Sequence, residues 1–187
     1  MSAPETEFAE IVIEAPGWLQ AGLPVLAARA LGAGLDWMEL PRPAVEIAVL
    51  GCDDARIAAL NARFRGRPDP TNVLSWPARA LPARADGVPP PLPETGAGPP
   101  LFLGDIAIAH ETCGREATAR GLPLAAHAQH LLVHALLHLL GHDHERAGDA
   151  ALMEAREAEI LARIGLPDPY LQEAPAMTGA AVTTNGY

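Results

Sequence analysis

Apolar residues recur along this 187-residue chain at two spacings. Phe8 to Glu14 alternates loosely, and Val45 to Leu50 places Val45, Ile47 and Val49 on one side. Asn72 to Trp76 and Phe102 to Ala109 are further short runs of the same kind. A period of two over four to eight residues predicts strands. Helical spacing instead covers Trp18 to Leu35, Asp53 to Phe64, His110 to Ala119, Leu124 to Leu140 and Ala147 to Ile164. Asp53 and Asp54 suit a helix start, because a carboxylate caps free amides and opposes the helix dipole. In the last helix, Leu152, Met153, Ile160, Leu161 and Ile164 form the inward stripe, and Glu154, Arg156, Glu157 and Arg163 are assigned to the solvent face. The pattern predicts an α+β fold: a small mixed four-stranded sheet packed with about five helices, the helix Leu124 to Leu140 lying near the centre.

The stretch Arg79 to Pro100 breaks this regularity with seven prolines. Proline lacks the amide that helices and central strands require, so the stretch reads as an exposed loop inserted between two strands. Chain length suits one domain with a substantial core. The expected organisation is a single domain over 1–170, with a Pro-rich inserted loop at 79–100 and a disordered tail at 171–187.

Composition narrows the function. Half the residues are hydrophobic but only 4% are aromatic, so Ala, Leu, Val and Ile must build the core. A formal net charge of −10 excludes coating of nucleic acid by bulk electrostatics, which needs clustered Lys and Arg. Any nucleic-acid contact must be local. Cys52 and Cys113 make neither a CxxC pair nor a disulfide framework, which fits a reducing cytosol. No basic segment followed by an apolar run opens the chain, and the apolar run Leu131 to Leu140 is about half the roughly 20 residues that span a bilayer. A cytoplasmic protein without membrane contact is expected.

The chemistry concentrates in His134-Ala-Leu-Leu-His138-Leu-Leu-Gly141-His142-Asp143-His144. Residues four apart share a helix face one turn apart, so His134 and His138 can share one metal ion. Gly141 tolerates the positive φ that lets the chain turn back and bring His144 to the same point. Three neutral imidazoles and a free position make an open tetrahedral Zn2+ site, one per chain. A lone histidine on an apolar helix is usually a hydrogen-bonded core residue. Three polar rings in a segment otherwise made of Leu, Ala and Val would each need a buried partner, and one ion serves all three.

The spacing is that of metzincin proteases, but Ala135 stands where those enzymes carry the glutamate general base. A zinc metallopeptidase is therefore the weaker reading. The segment instead resembles the H-x3-H-x5-H signature of the YbeY family, bacterial endoribonucleases implicated in ribosomal RNA maturation. Four other stretches resemble that family: Asn61 to Arg65 with Pro70 to Pro77, Leu103-Gly104-Asp105-Ile106, the helix segment Met153 to Ile160, and Asp168-Pro169-Tyr170. The resemblance runs from about Val45 to Tyr170. The chain departs from it at Ala135, where the family has glycine, and at His142, where it has tyrosine before Asp-His. His142 adds a fourth imidazole near the site, and spacing favours His144 as the third ligand.

The resemblance implies that Arg65 is the functional basic residue. Chemistry gives a separate reason, since phosphodiester cleavage accumulates negative charge and a guanidinium fork can hold two phosphate oxygens. It further implies single-strand-specific, zinc-dependent cleavage of RNA, with ribosomal RNA and the small ribosomal subunit as partners and no nucleotide cofactor. A non-enzymatic assembly factor stabilised by zinc is the other alternative, and it would favour a closed four-ligand site. His130 could hydrogen-bond behind the ligands, whereas His127 lies about 10 Å of helix rise from His134 and cannot share its ion. Asp105 reads as structural or substrate-positioning, and Cys113 as a small buried residue.

Overall fold

The computed structural model describes residues 7–81, 83 and 85–171. Strands β1 (Ala9–Ile13), β2 (Val45–Cys52), β3 (Val73–Pro77) and β4 (Leu101–Ala109) form one sheet in the order β1-β2-β4-β3. The β1–β2 and β2–β4 pairs are parallel, while β3 runs antiparallel to β4 at the sheet edge. The expected mixed four-stranded sheet is thus present.

Alternation along the strands separates two apolar faces. Ile47, Val49, Ile106 and Ile108 point into the main core with α2 (Leu23–Trp37) and α5 (Leu124–Leu139). Leu74, Ala107, Ala109 and Cys52 point the other way, onto Ile57 of α3 (Asp54–Arg65). The sheet is therefore covered on both sides, with α5 wedged between α2, α4 (His110–Ala119), α6 (Ala147–Arg163) and strands β3 and β4. Leu132, Val133 and Leu136 of α5 are wholly buried. Gly34 lets Leu136 approach α2 so closely that a Cβ there would lie 2.4 Å from its Cδ2.

Two expectations change. Trp18 to Leu35 is not one helix but two, α1 (Pro16–Gln20) and α2, because Gly22 adopts φ 73° and Pro24 opens the second helix. There are thus six α-helices among the described residues, with a 3-10 turn at Arg42–Ala44. The break lets Trp18 turn inward, where its Nε1 donates to the Ile108 carbonyl at 2.9 Å. The second change is in α6. Met153, Ile160 and Leu161 face inward as expected, but Glu157, assigned from sequence to the solvent face, is completely buried.

Residues 79–100 form no helix or strand among those described, as their prolines require. They are nonetheless fastened to the body. The Gly87 amide donates to Asp149 Oδ1 at 3.0 Å, and the Asp149 amide donates to Asp86 Oδ1 at 3.1 Å, tying the segment to the first turn of α6. Pro90 and Pro93 are buried. At residue 172 and beyond, the expected tail lies outside the described residues.

Because α5 is the most enclosed helix, truncating its core face should be costly. Leu136→Ala is expected to lower unfolding free energy by about 2–5 kcal/mol in a denaturant titration. A loss within the small range of a surface substitution would mean that α5 does not anchor the core.

Candidate metal centre

Helix α5 carries His134 and His138 one turn apart, and its end sets the third imidazole. Gly141 takes φ 86°, as its place after the helix requires, and the His142 amide donates to the Leu137 carbonyl at 3.0 Å. No other residue fits at 141: a Cβ there would fall 1.9 Å from the Leu81 carbonyl oxygen. The chain thereby reverses and brings His144 over the helix. One ring nitrogen from each of His134, His138 and His144 lies within 4.8 Å of the other two.

The hydrogen bonds fix which nitrogens face inward. His134 Nδ1 lies 2.8 Å from Glu157 Oε1, and His138 Nδ1 lies 2.9 Å from the His142 carbonyl oxygen. Both oxygens can only accept, so both Nδ1 atoms carry hydrogen. The two Nε2 atoms, 3.0 Å apart, then present lone pairs to each other. That approach is repulsive until a cation sits between them, and three such donors suit a tetrahedral ion with one position left open. Burial, followed by the neighbouring charges of His134 and His144, lowers His138 to about 4. The ring is neutral at physiological pH, the form a metal needs.

Behind His134 stands Glu157, with no exposed surface. Its Oε2 receives His130 Nε2 at 2.6 Å and the Tyr170 hydroxyl, while Oε1 receives His134. Burial by itself would raise this carboxyl, but the three donors outweigh it and hold the pKa at about 2. The buried anion thus fixes the tautomer and the angle of His134. His142 does not join the cluster: its Nε2 accepts from Arg156 Nη1 at 2.6 Å, and burial, then the arginine, lowers it to about 4.

Arg65 ends α3 just before Gly66, whose φ of 70° terminates the helix. Its exposed side chain lines a cavity of about 630 Å³ whose walls include His138, His144 and Ser75. Helix α3 and the histidine helix α5 sit on opposite sheet faces, and they meet across edge strand β3 through Ser75 and Pro77. Arg79, Ala80 and Leu81 of the proline-rich segment complete this wall. His127 is instead paired with Glu116 at 2.7 Å, and Cys113 is buried with its thiol pushed well up by desolvation. Asp105 is exposed on β4.

Glu157, Tyr170 and Arg156 were not singled out from sequence for roles in the site. A signal existed for the first. Glu157 lies four residues after Met153 and three before Ile160, inside the apolar stripe, and a carboxylate at such a position must have buried donors.

Fold and site together define an α+β protein with a three-histidine cluster that could hold a metal ion, backed by a buried carboxylate and sharing a cavity with an arginine. Residues 25–165 match the family model described as Endoribonuclease YbeY, and the chain belongs to that family. It is 55% identical over 172 residues to Endoribonuclease YbeY of Paracoccus denitrificans, covering 91% of this chain and 95% of that one. Identity is also 55% over 167 residues to the Ruegeria pomeroyi protein of the same name, covering 88% and 98%. In fold it is similar to TM1509 of Thermotoga maritima, solved in solution, with a TM-score of 0.50 at 18% identity, covering 88% of this chain and 99% of that one.

Removing the carboxylate should loosen the imidazole it orients. Glu157→Gln is expected to weaken metal affinity about 10- to 100-fold in a competitive chelator titration. Unchanged affinity in a folded variant would show that His134 needs no such support.

Proposed function

We propose that this chain is a metal-dependent endoribonuclease that cuts single-stranded regions of RNA. The observation that carries the reading is one cavity holding His138 and His144 of the trihistidine cluster on one side and Arg65 on the other. The homologues named Endoribonuclease YbeY, at 55% identity over most of the chain, support it. In this reading His134, His138 and His144 hold one Zn2+ ion, whose chemistry is that of a Lewis acid toward a phosphoryl oxygen. Arg65 makes no ion pair or hydrogen bond among the described residues, so its guanidinium is available to grip phosphate oxygens as charge accumulates. Arg79, also exposed on that wall, adds positive charge where the whole chain carries −10. RNA contact is thus local rather than spread over the surface.

The peptidase alternative gains no support from position 135, since Ala135 is buried and offers no base. A purely structural zinc site would draw in a fourth ligand, and His142 is turned to Arg156 instead. We assign the activity to one domain over 1–170, acting in the cytoplasm on ribosomal RNA with the small ribosomal subunit as partner, in rRNA maturation and ribosome quality control. No helix among the described residues is long and apolar enough to cross a membrane.

The test uses zinc-reconstituted protein on single-stranded and duplex RNA of the same sequence. Metal analysis should give about one zinc per chain, and chelation should abolish cleavage of the single strand. Arg65→Ala should keep its metal and melting temperature and lose on the order of 10²- to 10³-fold in turnover, as when an oxyanion donor is removed. Arg65→Lys should recover only part of this, because lysine restores charge without the planar fork. Wild-type turnover in zinc-loaded Arg65→Ala would remove the phosphate role. A 2′,3′-cyclic phosphate with a 5′-hydroxyl on the downstream fragment would show attack by the neighbouring 2′-hydroxyl, and a 5′-phosphate with a free 3′-hydroxyl would show attack by water.

A further inference from the structure

The trihistidine cluster separates two chambers. His138 and His144 line the Arg65 cavity, whereas His134 lines a second cavity of about 800 Å³ on the other side. That volume falls within the roughly 300–1,000 Å³ of small-molecule sites, and none of the roles assigned above uses it. We propose that this second chamber receives the base and ribose of an unpaired nucleotide next to the scissile phosphate, an inference that rests on the RNA-cleaving reading.

Two features of its wall point to a nucleotide. The first is Tyr170, 42% exposed, whose hydroxyl is anchored inward on Glu157 and whose ring meets His130 edge-on at 5.9 Å and 88°. The Asp168 carboxylate, accepting the Tyr170 amide at 2.9 Å, holds the turn that presents it. An aromatic ring fixed at its polar end with surface left to solvent is a preorganised stacking platform, and base stacking on such a ring suits single strands of any sequence.

The second feature is the wall's polar inventory. Three carboxylates stand in or behind it, and protein donors meet each: Glu157 as described, Glu116 through His127 Nε2 at 2.7 Å and Asn72 Nδ2 at 2.9 Å, and Asp168 through the Tyr170 amide at 2.9 Å. The charge left on the α4–α5 turn is Arg120, exposed and without an ion pair or hydrogen bond from its side chain among the described residues. It is placed to meet the next phosphate of a strand lying in the chamber.

A strand threaded through both chambers would place a phosphate at the histidines, Arg65 on one side and the stacked base on the other. The chamber then explains a demand for unpaired substrate, because a base held in duplex cannot leave its stack to enter.

The experiment measures anisotropy of the zinc-loaded full chain with a labelled 2′-O-methyl single strand, its integrity checked on a gel, in versions carrying one abasic position at successive places. Wild type should lose on the order of tenfold in affinity at one position only, as expected for removal of one stacked base. In Tyr170→Ala that position should become indistinguishable from its neighbours, whereas Tyr170→Phe, which keeps the ring and loses only the hydroxyl, should keep the position dependence. Because Tyr170→Ala also removes a donor from Glu157, Ala126→Trp serves as a second variant: it fills the chamber from α5 while keeping Tyr170 and its hydroxyl, and it should abolish the same position dependence. Equal loss at every position in wild type, or an unchanged profile in Ala126→Trp, overturns the proposal. If RNA is cleaved while the profile is flat, only the chamber assignment falls. Position-dependent binding without cleavage on unmodified RNA would sink the nuclease reading and keep the chamber.

Discussion

A carboxylate sealed from water cannot stay ionised without donors, and much of this molecule is arranged around that requirement at Glu157. Its three partners come from two elements that are distant in sequence: His130 and His134 from α5 and Tyr170 from the segment after α6. Satisfying the anion therefore fixes the rotation of α6 against α5 and draws the end of the described chain onto the histidine helix. An isolated buried carboxylate would take up a proton instead, and it would then lose its grip on His134 Nδ1. The same contact thus sets both a packing angle and the orientation of the His134 imidazole.

Helix α5 carries two conflicting duties, as the hydrophobic centre of the domain and as the bearer of imidazoles. It reconciles them by angular separation. Leu132, Val133 and Leu136 turn to the sheet and α2, while His127, His130 and His134 lie along another stripe with their own carboxylates, Glu116 and Glu157. Such pairing keeps polar atoms inside a packed core at modest cost, because each ring spends a hydrogen on an acceptor.

Local periodicity made the strands, α3, α4, α5 and α6 legible to within a few residues, since each reports on its own face. The break at Gly22 was marked in the sequence by Gly22 and Pro24 but missed, because the apolar run continues through both. The trihistidine cluster could be read because all its members lie within eleven consecutive residues, His134 to His144. Arg65 came only through likeness to a family, as no local rule joins the end of α3 to a loop after α5 across a sheet edge. Glu157 shows the opposite failure: its place in the apolar stripe was visible, but charge was taken as a sign of solvent. The neighbours that make burial tolerable are 23 and 27 residues before it and 13 after it.

The clasp between Asp86, Gly87 and Asp149 carries a consequence for the dynamics of the proline-rich strap. Its two ends are already fixed by strands β3 and β4, so the clasp divides it into two smaller arcs. The first arc contains Leu81, whose carbonyl presses on Gly141 at the turn that delivers His144. The second, rich in proline and glycine, lines no part of the Arg65 cavity. Length changes in the second arc are therefore mechanically decoupled from the histidine cluster, while one residue added or lost in the first would be transmitted to it. The Gly87 amide marks the divide, and its rate of hydrogen exchange reports how often the two arcs move as one.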